Sequence, residues 1–257
     1  MRSAHPHSSS THLTGPTAKP AAAAPPDSKE RLLDAAERLF AERGFDGASM
    51  RALTRAAGLS VSAANYHFGS KEELLRATLL RRLDPVNRRR LARLDALEAA
   101  PDAPKLEDLI ECFLRAPLEQ FDAMRRRGEG GFARHLLAWL YADRPERVAD
   151  LKAELFGEVN ARFVAALERA LPGLRGARTA LLLQLSIGTM VHVIGGQVDE
   201  RLIEAIAAGA PAREDGAVGS DGVEPLLALL VTYVCAGLRA SAPSTPDSAV
   251  APTRESP

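Results

Sequence analysis

Apolar side chains recur every three or four positions along most of this chain, with polar faces between them. In the first such stretch Leu32, Ala36, Leu39 and Phe40 fall at i, i+4, i+7 and i+8, one stripe of an amphipathic helix. Asp27 is placed as its N-cap, Glu30 at the N3 position of a capping box, and Gly44 just past its end. Ser49 then caps a short helix carrying Leu53 and Ala56, which Gly58 stops after about two turns. Ser60 caps a third short helix that reaches Phe68 and ends at Gly69. Ser70 and Glu73 form another capping box for a long helix from Lys71.

Further helices are predicted over about 105–127, 132–143, 146–171, 176–195 and 223–239, separated by Pro101, Pro104, Gly128, Gly130, Gly131, Pro145, Pro172 and Gly173. Residues 196–222 read two ways. Leu202, Ile203 and Ile206 suggest a short helical piece, and Gly209 to Gly222 a loop. No stretch alternates with the period of a half-buried strand, so the expected fold is all-α. Residues 1–26 and 241–257 are Ser-, Thr-, Pro- and Ala-rich. They hold too little apolar surface to offset the entropy of ordering and are expected to be disordered tails.

Composition narrows the classes. The chain has 257 residues, 46% hydrophobic and 26% charged, which suits one or two ordinary globular domains. Two cysteines, Cys112 and Cys235, exclude a disulfide framework and a multi-cysteine zinc site; each sits in an apolar helical pattern and reads as a small buried hydrophobe. The start lacks the apolar region of a secretory signal, and the stretch from Leu226 to Leu238 falls short of the ~20 residues a bilayer span needs. A cytoplasmic protein with no membrane partner is expected. Gly128-Glu129-Gly130-Gly131 lacks the Lys of a phosphate loop, and no catalytic motif appears. No enzyme activity, cofactor or metal is therefore expected. Glu154 and Glu158 read as a solvated face, and so does the run Arg88, Arg89, Arg90.

The formal net charge is zero, which argues against a polycation coating nucleic acid. By region the picture changes. Residues 28–83 carry a net +3 and residues 84–257 a net −4, a modestly basic head on an acidic body. In that head the second and third short helices, joined by Gly58-Leu59-Ser60, form a helix-turn-helix pattern. Such a pair lets the second helix enter a major groove ~12 Å wide. The same helix lengths also suit a structural bundle.

The specific strings decide between these. AGLSVSAANYHFGSKEELL (57–75) and RLLDAAERLFAERGFDGASMRALTRAAG (31–58) resemble the DNA-binding domain of the TetR family of bacterial transcriptional regulators. Gly44-Phe45, Ala57-Gly58, Tyr66-His67-Phe68 and Lys71 all fall in register. The resemblance implies an all-helical homodimer with a helix-turn-helix domain over 27–80 and an effector-binding and dimerisation domain over 81–240. One departure stands out: most members carry an aromatic where this chain has Asn65, and the aromatic pair is shifted to Tyr66 and His67.

By that resemblance Ser62 and Ala63, at the start of the recognition helix, face base edges. Tyr66 and His67 contact phosphates. Lys71 and Ser49, at helix N-termini, hold the backbone. Asn65 pairs with adenine or is simply solvated; both readings stay open. The last two long helices would build an intersubunit bundle. A cavity for an apolar effector would draw on Phe113, Phe121, Phe132, His135, Trp139, Phe156 and His192. Residues 131–174 resemble members that respond to fatty-acid or acyl-thioester signals. The expected function is a ligand-responsive homodimeric repressor, released from a palindromic double-stranded DNA operator by a small effector, an acyl or other hydrophobic compound. An activator, or a dimer that binds ligand or protein without reading DNA, are the alternatives.

Overall fold

The computed structural model describes residues 27–131, 135, 140, 145–195, 198, 201, 202, 206 and 223–242. Among these the regular structure is entirely helical: α1 (Ser28–Gly47), α2 (Met50–Ala57), α3 (Val61–Phe68), α4 (Lys71–Glu98), α5 (Leu106–Arg126), α6 (Pro145–Ala170), α7 (Ala177–Ile194) and α8 (Glu224–Ser241). The expected helix over 132–143, with Phe132 and Trp139, lies outside the described residues apart from His135 and Leu140. The expected tail over 1–26 also lies outside them, as do all but a few positions of 196–222. At the other end α8 continues to Ser241, and Ala242 is its C-cap.

Local chemistry sets the element ends. The Ser49 hydroxyl accepts from the Ala52 amide at 3.2 Å, Ser60 from Ala63 at 3.1 Å and Ser70 from Glu73 at 3.1 Å. Asp27 is the first N-cap but makes no side-chain cap bond; its carboxylate accepts from the Ser28 hydroxyl instead. The capping box expected from Asp27 and Glu30 is thus replaced by a shorter-range contact. Gly58 closes α2 in the left-handed region at φ 64°, ψ 38°, a conformation that a Cβ disfavours.

The three-helix head packs Leu32, Leu53, Ala64 and Leu74 at full burial, with Leu39 and Phe40 beside them. Leu59 and Phe68 pack on that cluster half-buried. The 28 residues of α4 run from the head into the body, where it packs on α5 and α6. Pro85 interrupts its hydrogen-bond ladder, because proline cannot donate to the carbonyl four residues earlier. Helix α8 packs mainly on α5, and α7 on α6. Among the described helices α7 and α8 are the most apolar, at mean hydropathies of 1.4 and 1.2 respectively over 18 residues. By length and composition either could cross a membrane; their packing puts one face of each into the body. Cys112 and Cys235 are buried there, and burial pushes both thiols up to about 11, so each behaves as a protonated hydrophobe.

The run Arg88-Arg89-Arg90 does not share one face. Arg88 and Arg89 are exposed, but Arg90 is 4% exposed. Its place follows from Pro117. With no N–H at position 117, the Phe113 carbonyl loses its helical donor. Arg90 Nε donates to that carbonyl at 2.7 Å, with the guanidinium 4.2 Å from the centroid of the Phe113 ring.

Candidate nucleic-acid interface and effector cavity

Two short helices can present a surface only if something holds them. Arg31, on α1, donates to the Ala57 carbonyl at 2.6 Å and the Gly58 carbonyl at 3.1 Å, fastening the turn to α1. Ala57 and Ala64 are buried where α2, α3 and α1 meet, and larger side chains there would push the helices apart. The outward face of α3 then carries Ser62, Asn65 and Tyr66, at i, i+3 and i+4, all exposed. Tyr66 is 86% exposed, beyond what a packing aromatic shows. Ala63 is half-buried behind them, and Ser49 is exposed at the start of α2. Arg51 and Arg55, which the sequence reading did not single out, are also exposed on α2.

His67 and Lys71 are placed differently. His67 is half-buried, its Nε2 2.8 Å from the Ser28 hydroxyl, with Tyr66 set edge-on against its ring. Lys71 donates to the Phe45 carbonyl at 3.0 Å and stands 4.1 Å from the centroid of the Phe45 ring. Both side chains therefore tie the recognition helix and α4 back onto α1. Exposed Glu72 and Glu73 follow in the first turn of α4.

A second site opens in the body. A cavity of about 160 Å³ lies between α4, α5, α6 and α7. Phe113, Phe121 and Phe156 line it. His192 is exposed and off its lining, because position 192 faces away from the buried stripe Ile187, Met190, Ile194. His135 is also exposed and off the lining; its Nδ1 lies 3.1 Å from the Gly131 carbonyl, and its ring is near Gly44. The lining also holds Arg82, Asn87, Arg90 and Lys152, which sequence reasoning missed. A signal existed. Leu75, Leu79, Val86 and Leu94 mark the buried stripe of α4, and Arg90 stands on it at i+4 from Val86.

The cavity's polar groups are constrained. Asn87 donates through Nδ2 to the Leu155 carbonyl at 2.6 Å, which fixes the orientation of its amide. Its Oδ1 is buried with no hydrogen-bond partner among the described residues. Burial holds the Lys152 ammonium below the usual lysine range. Among the described lining residues there is no Asp or Glu.

Ion pairs join the cavity wall to the head. Glu37 of α1, buried, receives Arg81 at 2.6 Å and also Arg82. Burial alone would lower the Arg81 guanidinium, but the Glu37, Asp34 and Glu30 carboxylates outweigh it and hold it raised. Arg76 donates through Nε to Glu154 of α6 at 2.7 Å and holds that exposed carboxylate below its usual range.

Comparison with known proteins matches this layout. A family model described as bacterial regulatory proteins, tetR family, matches residues 32–78, and one described as tetracyclin repressor-like, C-terminal domain, matches residues 111–237. The HTH-type transcriptional repressor AcnR of Corynebacterium efficiens is 45% identical over 53 residues, 21% of this chain and 28% of that protein. BetI of Rhizobium meliloti, an HTH-type transcriptional regulator, is 34% identical over 91 residues, 35% of this chain and 44% of its own. These matches span less than half of either relative. Among solved structures, the fatty acid degradation regulator FadR of Bacillus halodurans superposes with a TM-score of 0.59 at 16% identity, over 84% of this chain and 98% of that one. FadR of Bacillus subtilis, solved with stearoyl-CoA, gives 0.54 at 13% identity, over 83% and 97%. At such identities the likeness is one of fold.

Proposed function

The chain belongs to the TetR family of bacterial regulatory proteins, and we propose that it is a cytoplasmic, homodimeric, ligand-responsive repressor of transcription. The observation that carries this reading is the outward face of α3. Ser62, Asn65 and the 86%-exposed Tyr66 form one polar surface on a helix short enough to lie in a major groove. In this reading Asn65 pairs with a base, and Tyr66 and Ser49 meet phosphates; their exposure supports it. Lys71 and His67 act one step back, by holding α3 and the start of α4 on α1.

Exposed apolar side chains support a dimer. Leu181 and Leu185 on α7 are 60% and 61% exposed, and Leu229 and Tyr233 on α8 are 51% and 66% exposed. Each pair is spaced i, i+4, so each helix offers a second apolar face beyond the one it buries. Covering these faces with a second copy would set two recognition helices about 34–36 Å apart, one turn of DNA. An effector in the body cavity would change that separation through α4, and by linkage DNA would lower effector affinity by the same factor.

The test is selection of duplexes from a randomised pool by the purified chain, repeated at rising salt. A palindromic consensus whose affinity falls with salt supports the reading. Recovery of no consensus contradicts it.

A further inference from the structure

The body cavity has a size, a charge and a connection, and together they say more than that something apolar binds there. Its volume, about 160 Å³, is close to the roughly 150 Å³ of an engineered apolar cavity that holds benzene. A ligand body of about one ring matches such a space more closely than a long acyl chain does. The described lining carries three cationic side chains, Arg82, Arg90 and Lys152, and no carboxylate. Parallel packing of α4 and α6 sets Arg82 and Lys152 toward the head end of the cavity: Arg76 meets Glu154, Asn87 meets Leu155, and Arg162 meets Asp95 and Glu98.

Arg82 is also the residue common to two spaces. It lines the cavity, and it lines the cleft between head and body together with Arg31, Asp34, Glu37 and Glu129. Its Nη2 carries two protons and meets two carboxylates, Glu37 on α1 and, at 3.5 Å, Glu129. A ligand carboxylate arriving at that nitrogen competes with Glu37 and Glu129 for its two protons.

Resting on the reading of the body as an effector domain, we propose that the cavity takes a small organic monoanion, a carboxylate on a body about one ring in size, and that Arg82 exchanges Glu37 for the ligand's carboxylate. The exchange removes one of the two arginines of α4 that hold Glu37 and leaves Arg81 on it, so occupancy of the body is felt in the head as a weaker tie between α1 and α4. The ligand's ring lies against Phe113, Phe121 and Phe156. The unpartnered Asn87 Oδ1 favours a ligand that also carries a hydroxyl or amino donor.

The test uses the full chain without DNA and four probes: benzoate, benzamide, benzylammonium and dodecanoate. Calorimetry reads binding, and amide hydrogen exchange reads α1. Benzoate is expected to bind at least tenfold tighter than benzamide or benzylammonium, and tighter than dodecanoate. It is expected to speed exchange in α1 around Glu37 several-fold while slowing it in α4 around Val86. Arg82→Gln should weaken benzoate at least tenfold. Glu37→Gln should do the opposite, strengthening benzoate severalfold and abolishing the α1 response, because the competing carboxylate is gone. That opposite sign separates the proposal from a loss of folding. No benzoate binding at millimolar concentration, equal binding of the neutral or cationic probe, tighter binding of dodecanoate, unchanged α1 exchange on benzoate binding, or weaker binding by Glu37→Gln would each overturn it. None of these readouts involves DNA, so their failure is distinct from failure to select an operator.

Discussion

Between α1 and α3 the side chains at full burial are Leu32, Ala35, Ala36, Ala48, Leu53 and Ala64, all apolar and half of them or more small. Two polar groups there are buried: Thr54 bonds back to the Arg51 carbonyl of its own helix, and Glu37 faces Arg81 and Arg82 at the border with the body; the Ser49 and Ser60 caps and the Arg31 clasp lie outside the core. The body is built otherwise. Arg90 and Asn87 are buried beside Phe113 and the cavity, each bonded to a backbone carbonyl of another helix. The head spends its sequence on making two short helices rigid and leaving α3 clean. The body spends its on holding polar groups around a space. A rigid reader and an adjustable sensor need these opposite interiors, since the first must keep one geometry and the second must respond to what enters.

Substitutions should separate the two regions by size of effect. Phe113→Ala removes a side chain 1% exposed that packs edge-on against Phe163 at 4.9 Å and carries the Arg90 guanidinium on its face. It should cost about 3–5 kcal/mol in urea unfolding. Arg90→Leu leaves the Phe113 carbonyl without a donor next to Pro117 and should cost roughly 1–3 kcal/mol, whereas the neighbouring Arg88→Ala should stay within about 0.5 kcal/mol. Equal effects at 88 and 90 would break the claim that the arginine run is split between solvent and core.

In the head, Gly58→Ala puts a Cβ at φ 64° and 2.7 Å from Arg31 Nη2. The arginine end can move, so the backbone conformation dominates, at about 1–2 kcal/mol. Duplex binding should fall with it, because the turn that aims α3 is strained. Tyr66→Ala should have the smallest effect on stability, within about 0.5 kcal/mol, yet should weaken DNA binding measurably. A Tyr66 variant that unfolds the head more than Gly58→Ala does would mean that α3's exposed face is structural.

The same contrast explains what the sequence could disclose. The caps at Ser49, Ser60 and Ser70 and the stops at Gly58 and Gly69 depend on residues three or four apart, so they are visible in the string. Asp27 failed as a side-chain cap because its neighbour Ser28 took the carboxylate, a choice between two equally local contacts. The cavity aromatics Phe113, Phe121 and Phe156 were visible because apolar residues on several helices converge. Arg82, Asn87 and Arg90 were not, because their roles depend on partners 23 to 68 positions away: Arg90 with Phe113, Arg82 with Glu37 and Glu129, Asn87 with Leu155. His192 is a cavity candidate in the sequence, but its phase on α7 turns it to solvent. The resemblance puts Lys71 and His67 at phosphates; the contacts their side chains make to Phe45 and Ser28 depend on folded partners 26 and 39 positions away and are not visible in the string.

The central claim is that α3 reads DNA and that two copies do so in register. Footprinting of the chain on its selected duplex measures both. The account predicts two protected patches one helical turn apart, about 34–36 Å between centres, and loss of the base preference within each patch in Asn65→Ala, with phosphate protection retained. Uniform protection independent of sequence, or a single patch, would contradict it.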